Sequence, residues 1–328
     1  MALKKTWQGK KVLITGINGF VGSHLAQMLH AKGAVIEGTS RNPASTPYLN
    51  RMFPDQSFII HPLELRRKES VQALLKNNTF DTIFHLASQS DTWKSTQIPV
   101  ETFESNVNGT LFLLDALRLN GEQTALIAVG SVRAFEPLTS VKTDVMAPLH
   151  PYDASKFCTQ VIALSYFHAY GLRGAIAQNT NIYGPNDTNF NRLIPILMKE
   201  LFTKKKIMLK GDGKIKRDFL YVNDAVRGMI SLAENCHRKD VGGKSITFAS
   251  GMLSTIQEIT RIVKNEFPLP IDIQFDNQPF EDRDHPELNI HSAHELLGWS
   301  PEYSLEKGIR ETIPWYQNYF SETGGIQK

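Results

Sequence analysis

The sequence has few of the features that mark secreted, metal-binding, membrane or nucleic-acid-binding proteins. Its two cysteines, Cys158 and Cys236, are far apart and form no CxxC pair, which favours a reduced, cytoplasmic setting. No apolar stretch approaches the roughly 20 residues needed to span a bilayer, and the N-terminus lacks the apolar core of a signal peptide. No run of Lys and Arg is long enough to follow a nucleic-acid backbone, and the net charge is only +3. We therefore expect a soluble protein that binds neither membranes nor nucleic acid.

Metal chemistry is also not indicated. The ten histidines include His285, His291 and His294, but their spacing to carboxylates does not suggest a closed metal site. With 328 residues, of which 41% are hydrophobic, the chain can bury a large core. We expect one nucleotide-binding core with a smaller lobe attached, and no metal.

Short β-branched runs alternate with helical patterns over the first half of the chain. Strands are predicted at 12–15, 34–39, 57–63, 82–86, 125–129 and 174–178, and helices at 21–31, 70–77, 107–119 and 152–170. This alternation is typical of a Rossmann-type α/β fold, a doubly wound parallel sheet with helices on both faces. We expect this domain over residues 1–178, with 218–250 returning to it, and a smaller C-terminal substrate-binding lobe over 179–217 and 251–328. Helices are predicted there at 193–203, 224–234 and 305–316.

A glycine-rich turn follows the first predicted strand. Gly16, Gly19 and Gly22 form GxxGxxG, a relative of the GxGxxG loop, in which glycines let backbone N–H groups approach a pyrophosphate. The N-terminus of the next helix then faces the phosphates. The residues expected to contact a dinucleotide here are Gly16, Asn18, Gly19, Phe20, Val21 and Gly22.

The end of the second predicted strand distinguishes NAD from NADP. An NAD site usually offers an acidic residue there, whereas an NADP site has small polar and basic residues. Glu37 lies too early in the strand, and the expected position falls at Thr39 or Ser40, with Arg41 beside it to receive a 2′-phosphate. The alternative is that Arg41 is an ordinary surface arginine. We predict that Ser40 and Arg41 contact NADP(H), with NAD(H) the less favoured cofactor.

Tyr152 and Lys156 form a YxxxK pattern on a predicted helix, one turn apart on one face. The ammonium can stabilise the phenolate and hydrogen-bond the nicotinamide ribose. The tyrosine can then exchange a proton with a sugar hydroxyl or carbonyl while a hydride moves. Ser131 follows the predicted strand 125–129, so its hydroxyl lies near the same strand end. We predict that Ser131, Tyr152 and Lys156 are catalytic and that Tyr152 and Lys156 also contact the cofactor.

With these motifs the sequence resembles the extended short-chain dehydrogenases, the NAD-dependent epimerase/dehydratase family that modifies nucleotide sugars. Further shared motifs are His85-Leu-Ala-Ser88, Asn106-Val-Asn-Gly-Thr110, Asn181-Ile-Tyr-Gly-Pro185, Arg217-Asp-Phe-Leu-Tyr-Val222 and Leu297-Gly-Trp-Ser-Pro301. The resemblance covers nearly the whole chain. Within the family, residues 37–42 look like GDP-4-keto-6-deoxymannose reductases, whereas residues 151–225 look like CDP-glucose and GDP-mannose 4,6-dehydratases.

The resemblance implies roles that the patterns alone do not assign. For the cofactor it implies Glu64 and Leu65 near the adenine, Leu86, Ala87, Ser88 and Asn106 along the molecule, and Asn179 and Ile182 at the nicotinamide end. For a nucleotide-diphosphate sugar substrate it implies Asn181, Arg217 and Arg283 at the diphosphate, with Ser90, Arg133, Asn191 and Arg192 as further candidates. It also implies a homodimer through the helices predicted at 107–119 and 152–170; alternatively, their apolar stripes simply pack on the sheet.

The segment after Ser131 departs from the dehydratases of this family. In those enzymes an acidic residue follows the hydroxyl residue and moves protons during water loss. Here Val132 and Arg133 follow, and Phe135 and Glu136 stand where the family has tyrosine and glycine. Loss of such a proton shuttle costs about 10²–10⁴-fold in rate. We therefore expect an NADP(H)-dependent reductase of a nucleotide-activated 4-keto sugar. A 4,6-dehydratase or epimerase, and a catalytically silent NADP(H)-binding sensor or scaffold, are the alternatives.

Overall fold

The computed structural model describes residues 6–54, 57–120, 123–134, 150–203, 206–267, 272–278 and 284–323. The chain divides into two compact units. The first comprises Met1–Asn179, Val226–Thr247 and His291–Trp299, and the second comprises Thr180–Ala225, Phe248–Ile290 and Ser300–Lys328. The returning segment is narrower than the expected 218–250, and the sequence did not indicate that His291–Trp299 would join the first unit.

The strands lie close to the predicted positions in the first unit. In chain order, the strands of both units are β1 (Lys11–Thr15), β2 (Val35–Ser40), β3 (Ile59–Pro62), β4 (Thr82–His85), β5 (Ala125–Ser131), β6 (Gly174–Asn179), β7 (Asn181–Tyr183), β8 (Lys206–Leu209), β9 (Lys216–Tyr221), β10 (Ser245–Phe248), β11 (Leu253–Thr255) and β12 (Asp272–Phe275). Strand β5 runs to Ser131 itself, two residues beyond the predicted end, so that the serine is the last residue of the strand.

The helices are α1 (Phe20–Ala31), α2 (Pro47–Met52), α3 (Lys68–Asn77), α4 (Thr92–Gln97), α5 (Pro99–Phe103), α6 (Gly109–Asn120), α7 (Pro151–Tyr170), α8 (Leu193–Thr203), α9 (Val222–Asn235), α10 (Ile256–Glu266), α11 (His291–Leu297) and α12 (Leu305–Glu322). A π-helical turn, Glu104–Asn108, precedes α6, so the helix predicted at 107–119 is divided. Helix α12 extends beyond the predicted end at 316 because its aromatic residues continue to pack as far as Phe320.

Seven strands of the first unit form one sheet, in the order β10-β6-β5-β4-β1-β2-β3. The ladders that join β1 to β2 and β4, β2 to β3, β4 to β5, and β5 to β6 are all parallel. The order changes direction between β1 and β4, and ligands bind outside the carboxyl ends of the strands at such a switch point. The predicted doubly wound Rossmann-type fold is therefore confirmed.

Burial explains why the central strands read as apolar runs. Val12, Leu13 and Ile14 of β1 are completely buried, as expected of a strand covered on both faces. Leu13 belongs to the core that also contains Leu113 of α6. In the second unit, β11, β9 and β7 form a small sheet, while β12 and β8 form a pair. The sequence did not predict these strands, most of which are only three or four residues long.

Candidate active site

The glycine loop connects β1 to α1 and is closely packed. Gly16 has a positive φ of 73°, and a Cβ atom on Gly22 would lie 2.3 Å from the carbonyl oxygen of Gly16. A side chain at either position would therefore displace the backbone. Gly19 is the N-cap of α1, and no side-chain hydrogen bond caps the helix at this end. Its first N–H groups thus face outward at a helix N-terminus, the arrangement that binds phosphate.

The adenosine end of the candidate site is formed by the adjacent ends of β2 and β3. The N–H group of Leu63 donates to the carbonyl oxygen of Ser40 over 3.0 Å, which holds these ends together. Glu64, Leu65 and Arg66 follow β3, and Arg41 follows β2. Asn18 of the glycine loop donates to the carbonyl oxygen of Ser45 over 2.6 Å and so fixes the segment after β2.

Glu37 is not available to a ribose, because it takes part in a buried ion pair. Its carboxylate lies 2.8 Å from the Lys11 ammonium and 2.5 Å from Nε2 of His61. Burial by itself would raise the pKa of Glu37, but the hydrogen bonds from these two residues outweigh it and lower the pKa. The second strand therefore offers no free carboxylate at this position, as the argument for NADP(H) requires.

His85 is the last residue of β4, directly before the segment Leu86–Ser88, and both nitrogens of its ring take part in a chain of hydrogen bonds. The Thr110 hydroxyl donates to the carbonyl oxygen of Asn106 over 2.6 Å, so its oxygen accepts from Nε2 of His85 over 3.0 Å. Nδ1 of His85 then accepts from the Thr15 hydroxyl over 2.8 Å. Burial, assisted by the Lys156 charge, lowers the pKa of His85 to about 3, so the ring is neutral. His85 is a structural residue of the strand ends.

Asn106 connects the loop after β4 to helix α7. Its amide nitrogen donates to Oγ of Ser155 over 2.9 Å, and its amide oxygen accepts from the N–H group of Gln89 over 2.7 Å. Ser155 in turn donates to the carbonyl oxygen of Tyr152 over 2.8 Å. Asn106 therefore fixes the first turn of α7 relative to the predicted cofactor-lining residues.

Lys156 is buried beneath the strand ends. Its ammonium donates to the carbonyl oxygen of Val129 over 2.9 Å, and burial lowers its pKa to about 8. A small cavity beside it is lined by Ala87, Ser88, Asn106 and Gln160, among others. The lysine thus lies among predicted cofactor-lining residues, within one helical turn of Tyr152.

Two contacts that sequence reasoning missed hold the start of α7. The N–H group of Tyr152 donates over 3.2 Å to Oγ of Ser95, a fully buried residue of α4. Arg133, whose binding to substrate stays a prediction, donates through Nε to Oδ1 of Asp153 over 2.9 Å and through Nη2 to Oδ2 over 3.4 Å. The side chains of Arg133 and Asp153 are 14% and 5% exposed, so this is a largely buried ion pair.

Ser131 and Asn179 are neighbours across the β5–β6 ladder. Oγ of Ser131 accepts from the N–H group of Arg133 over 3.3 Å, which leaves the hydroxyl proton to be donated elsewhere. The amide oxygens of Asn18 and Asn179 are buried and have no hydrogen-bond partner within the described residues. These two acceptors lie on the glycine loop and at the end of β6, where the resemblance places the dinucleotide. Together with the glycine loop, they fit such a cofactor.

The other predicted substrate residues lie in the second unit, apart from Ser90, which follows β4. Asn181 and Ile182 are in β7, which pairs with β9, the strand that contains Arg217. Asn191 and Arg192 precede α8, and Arg192 donates to the buried Asp187 over 3.0 Å. Burial raises the pKa of Asp187 although Arg192 opposes the shift. Arg283, Phe135 and Glu136 lie outside the described residues.

No three His, Cys, Asp or Glu side chains come together as a possible metal site in the part of the chain that the structure describes. Among the helices that the structure describes, none is both long and apolar enough to cross a membrane.

Comparison with known proteins identifies related sequences and structures. The model of the NAD dependent epimerase/dehydratase family matches residues 12–246. UDP-glucuronate 4-epimerase of Thermodesulfobacterium geofontis is 27% identical over 315 residues, which cover 92% of this chain and 95% of that protein. CDP-glucose 4,6-dehydratase of Salmonella typhimurium is 23% identical over 343 residues, which cover 96% and 92%. The structure of RMD from Pseudomonas aeruginosa, complexed with NADPH, superposes with a TM-score of 0.77 at 20% identity over 94% of this chain and 99% of that chain.

Proposed function

The chain belongs to the NAD-dependent epimerase/dehydratase family, and we propose that it is an NADP(H)-dependent reductase of a nucleotide-activated 4-keto sugar. Its relatives are NAD(P)-dependent enzymes that modify nucleotide sugars. The observation that supports reduction over water loss is that an arginine, and not an acidic residue, stands close to Ser131. Arg133 stands close to where a dehydratase needs an acid, and its guanidinium is bound to Asp153.

The proposed reaction needs three side chains of this chain. When bound, NADPH supplies a hydride to the carbonyl carbon of the sugar. Tyr152 gives its phenolic proton to the carbonyl oxygen, and Ser131 donates a hydrogen bond to the same oxygen. Lys156 stabilises the phenolate left on Tyr152. Within the first unit, Tyr152 is held through Ser95 and Asn106, and Lys156 donates to the backbone of Val129. Ser131 accepts from the N–H group of Arg133.

Water loss would require a further acid or base next to the sugar. Residues 131–134 read Ser-Val-Arg-Ala and contain no carboxylate. Asp153 is the acidic residue on the first turn of α7, but both its oxygens accept hydrogen bonds from Arg133. The arrangement therefore supports reduction at one carbon better than elimination.

The substrate end of the proposal rests on the cationic and amide side chains of the second unit. Arg217 and Asn181 lie on paired strands, and we propose that they bind the nucleotide diphosphate together with Arg283 and Asn191. Arg192 already has Asp187 as a partner, so a role at the diphosphate would require it to exchange that carboxylate for phosphate.

We also propose a homodimer that acts in the cytoplasm. Leu119 of α6 and Val161 and Tyr170 of α7 are large apolar residues that are 54%, 45% and 55% exposed. A second copy of these helices would cover them, whereas simple packing on the sheet leaves them in water. Sedimentation of the purified protein tests this, and a monomer at micromolar concentration would rule it out.

The reaction is tested by supplying NADPH with 4-keto-6-deoxy sugar nucleotides that carry different bases. A reductase consumes one NADPH for each sugar alcohol formed, and Tyr152→Phe should abolish that turnover. A dehydratase would instead release a keto product from a parent sugar nucleotide with no net change in cofactor. A silent cofactor-binding protein would do neither. Full activity of Tyr152→Phe would refute the assigned mechanism.

A further inference from the structure

Two arginines of the first unit approach one carboxylate oxygen at the adenosine end of the site. Nη1 of Arg41, which follows β2, lies 3.7 Å from Oε1 of Glu101, and Nη1 of Arg66, which follows β3, lies 3.8 Å from the same atom. Glu101 belongs to the short helix α5. An oxygen atom between two guanidinium groups occupies a position suited to an anion.

The two arginines are held to different degrees. Arg66 donates to Glu64 over 2.7 Å and lies 3.8 Å from Glu104, and its side chain is 32% exposed. The Arg41 side chain is 70% exposed. Arg66 is therefore held by several carboxylates in a partly buried position, whereas Arg41 is mostly exposed to solvent.

The contacts to Glu101 are weak enough to be exchanged. At 3.7 and 3.8 Å both exceed normal hydrogen-bond distances. Exposed ion pairs of this kind contribute little because water and salt screen them. A phosphate monoester carries about −1.5 to −2 charges at neutral pH and has three strong acceptor oxygens, so it can displace Glu101 while the shorter contact of Arg66 with Glu64 remains.

The position also fits the geometry of dinucleotide binding. The adenosine ribose lies at the end of the second strand in this fold. Ser40, the last residue of β2, pairs with Pro62 of β3, so Arg41 and Arg66 flank the same corner of the sheet. Any group on the 2′-position of that ribose would face this corner.

We propose that Arg41 and Arg66 together bind the 2′-phosphate of NADP(H), and that Glu101 is the competing anion of this site. The inference rests on the proposed use of NADP(H) and adds Arg66 and Glu101, which no sequence pattern indicated. The two arginines form a clamp in which Arg66 supplies the partly buried guanidinium and Arg41 the exposed one, so the preference for NADPH over NADH depends on both.

The test is a titration of NADPH and NADH, by cofactor fluorescence, against four proteins: wild type, Arg66→Ala, Glu101→Gln and the control Arg67→Ala. Arg67 is the next residue and is exposed, so its replacement removes the same charge without touching the proposed contacts. We expect Arg66→Ala to weaken NADPH binding about 10- to 100-fold, the loss typical of a charge-assisted contact. NADH binding should stay within about twofold, which also shows that the variant is folded. Glu101→Gln should strengthen NADPH binding, and Arg67→Ala should change both cofactors alike.

Different failures point to different errors. If the wild type prefers NADPH and Arg66→Ala keeps that preference, Arg41 and Arg66 do not bind the 2′-phosphate together, and the proposed use of NADP(H) stands. If Glu101→Gln does not strengthen NADPH binding, Glu101 is not the competing anion. If the wild type binds NADH as tightly as NADPH, both the proposed cofactor and this inference are overturned.

Discussion

Replacement of Asp153 with asparagine tests whether the ion pair at the start of α7 holds Tyr152, the proposed proton donor, in place. The Arg133 and Asp153 side chains are 14% and 5% exposed, and the shorter of their two contacts is 2.9 Å. Breaking a buried ion pair by neutralising one partner costs about 3–5 kcal/mol, because the other charge stays buried without its counter-charge. We expect about 3 kcal/mol, since the asparagine still offers one oxygen to Nε of Arg133. Tyr152 is the preceding residue, so kcat should fall about tenfold or more as the helix start shifts.

The assay is urea unfolding of the wild type, Asp153→Asn, Arg133→Met, Asp153→Leu and the double variant Arg133→Met with Asp153→Leu. Apolar replacement of both partners is often neutral, so the double variant should lie within about 1 kcal/mol of the wild type. The cycle of Arg133→Met, Asp153→Leu and their double variant should therefore be far from additive, because each single variant leaves one charge buried without its partner and the double variant leaves none. A loss of less than about 0.5 kcal/mol in Asp153→Asn, with kcat unchanged, would refute the reasoning, since exposed substitutions have effects of that size.

Three further outcomes follow from the same contacts. Because burial lowers the pKa of Lys156 to about 8 and only its ammonium stabilises the phenolate, kcat/KM for reduction should fall about tenfold per pH unit above that value. Lys156→Met should lose most of the activity and also this fall of kcat/KM with pH. A wild-type kcat/KM that stays constant across pH 8 would contradict the role of Lys156. Ser95→Ala should lower kcat several-fold and cost about 1 kcal/mol, because the Tyr152 N–H loses its acceptor. Thr96→Ala, on the exposed side of the same helix, is the control, and equal effects would rule out positioning by Ser95. The folded pKa of Glu37 lies below its usual 4.5, so its contribution to stability is present above pH 4.5 and lost as the pH falls below it. Acid unfolding followed by circular dichroism should therefore be shallower in Glu37→Gln, and an unchanged acid transition would be inconsistent with the buried pair.

Local patterns in the sequence predicted the framework of the site well. The glycine loop could be predicted because Gly16, Gly19 and Gly22 stand between a strand and a helix, and the structure shows that a Cβ atom on Gly22 would collide with the backbone. Tyr152 and Lys156 could be predicted to share a face because four residues make about one helical turn. The parallel sheet could be predicted from alternation of strands and helices.

The contacts that hold these residues could not be predicted, because they join distant segments. Arg133 and Asp153 are 20 residues apart, and Ser95 and Tyr152 are 57 residues apart, with no periodic pattern linking either pair. The sequence shows the charge of Arg133 but not that Asp153 is a partner, and binding of Arg133 to the substrate stays a prediction. In the second unit, a strand as short as Asn181–Tyr183 is too brief for an alternating pattern to reveal it.

Transfer of a labelled hydride tests most directly whether the chain reduces its substrate or eliminates water from it. NADPH that carries deuterium at the transferable position of the nicotinamide would be incubated with a 4-keto-6-deoxy sugar nucleotide and the wild-type protein. The product would be analysed by mass spectrometry and NMR. We predict one deuterium on the former carbonyl carbon for each NADP⁺ formed, and none with Tyr152→Phe. In a parallel incubation the parent sugar nucleotide would replace the 4-keto substrate. Its conversion to a keto product, with no deuterium taken from the added cofactor, would contradict the account.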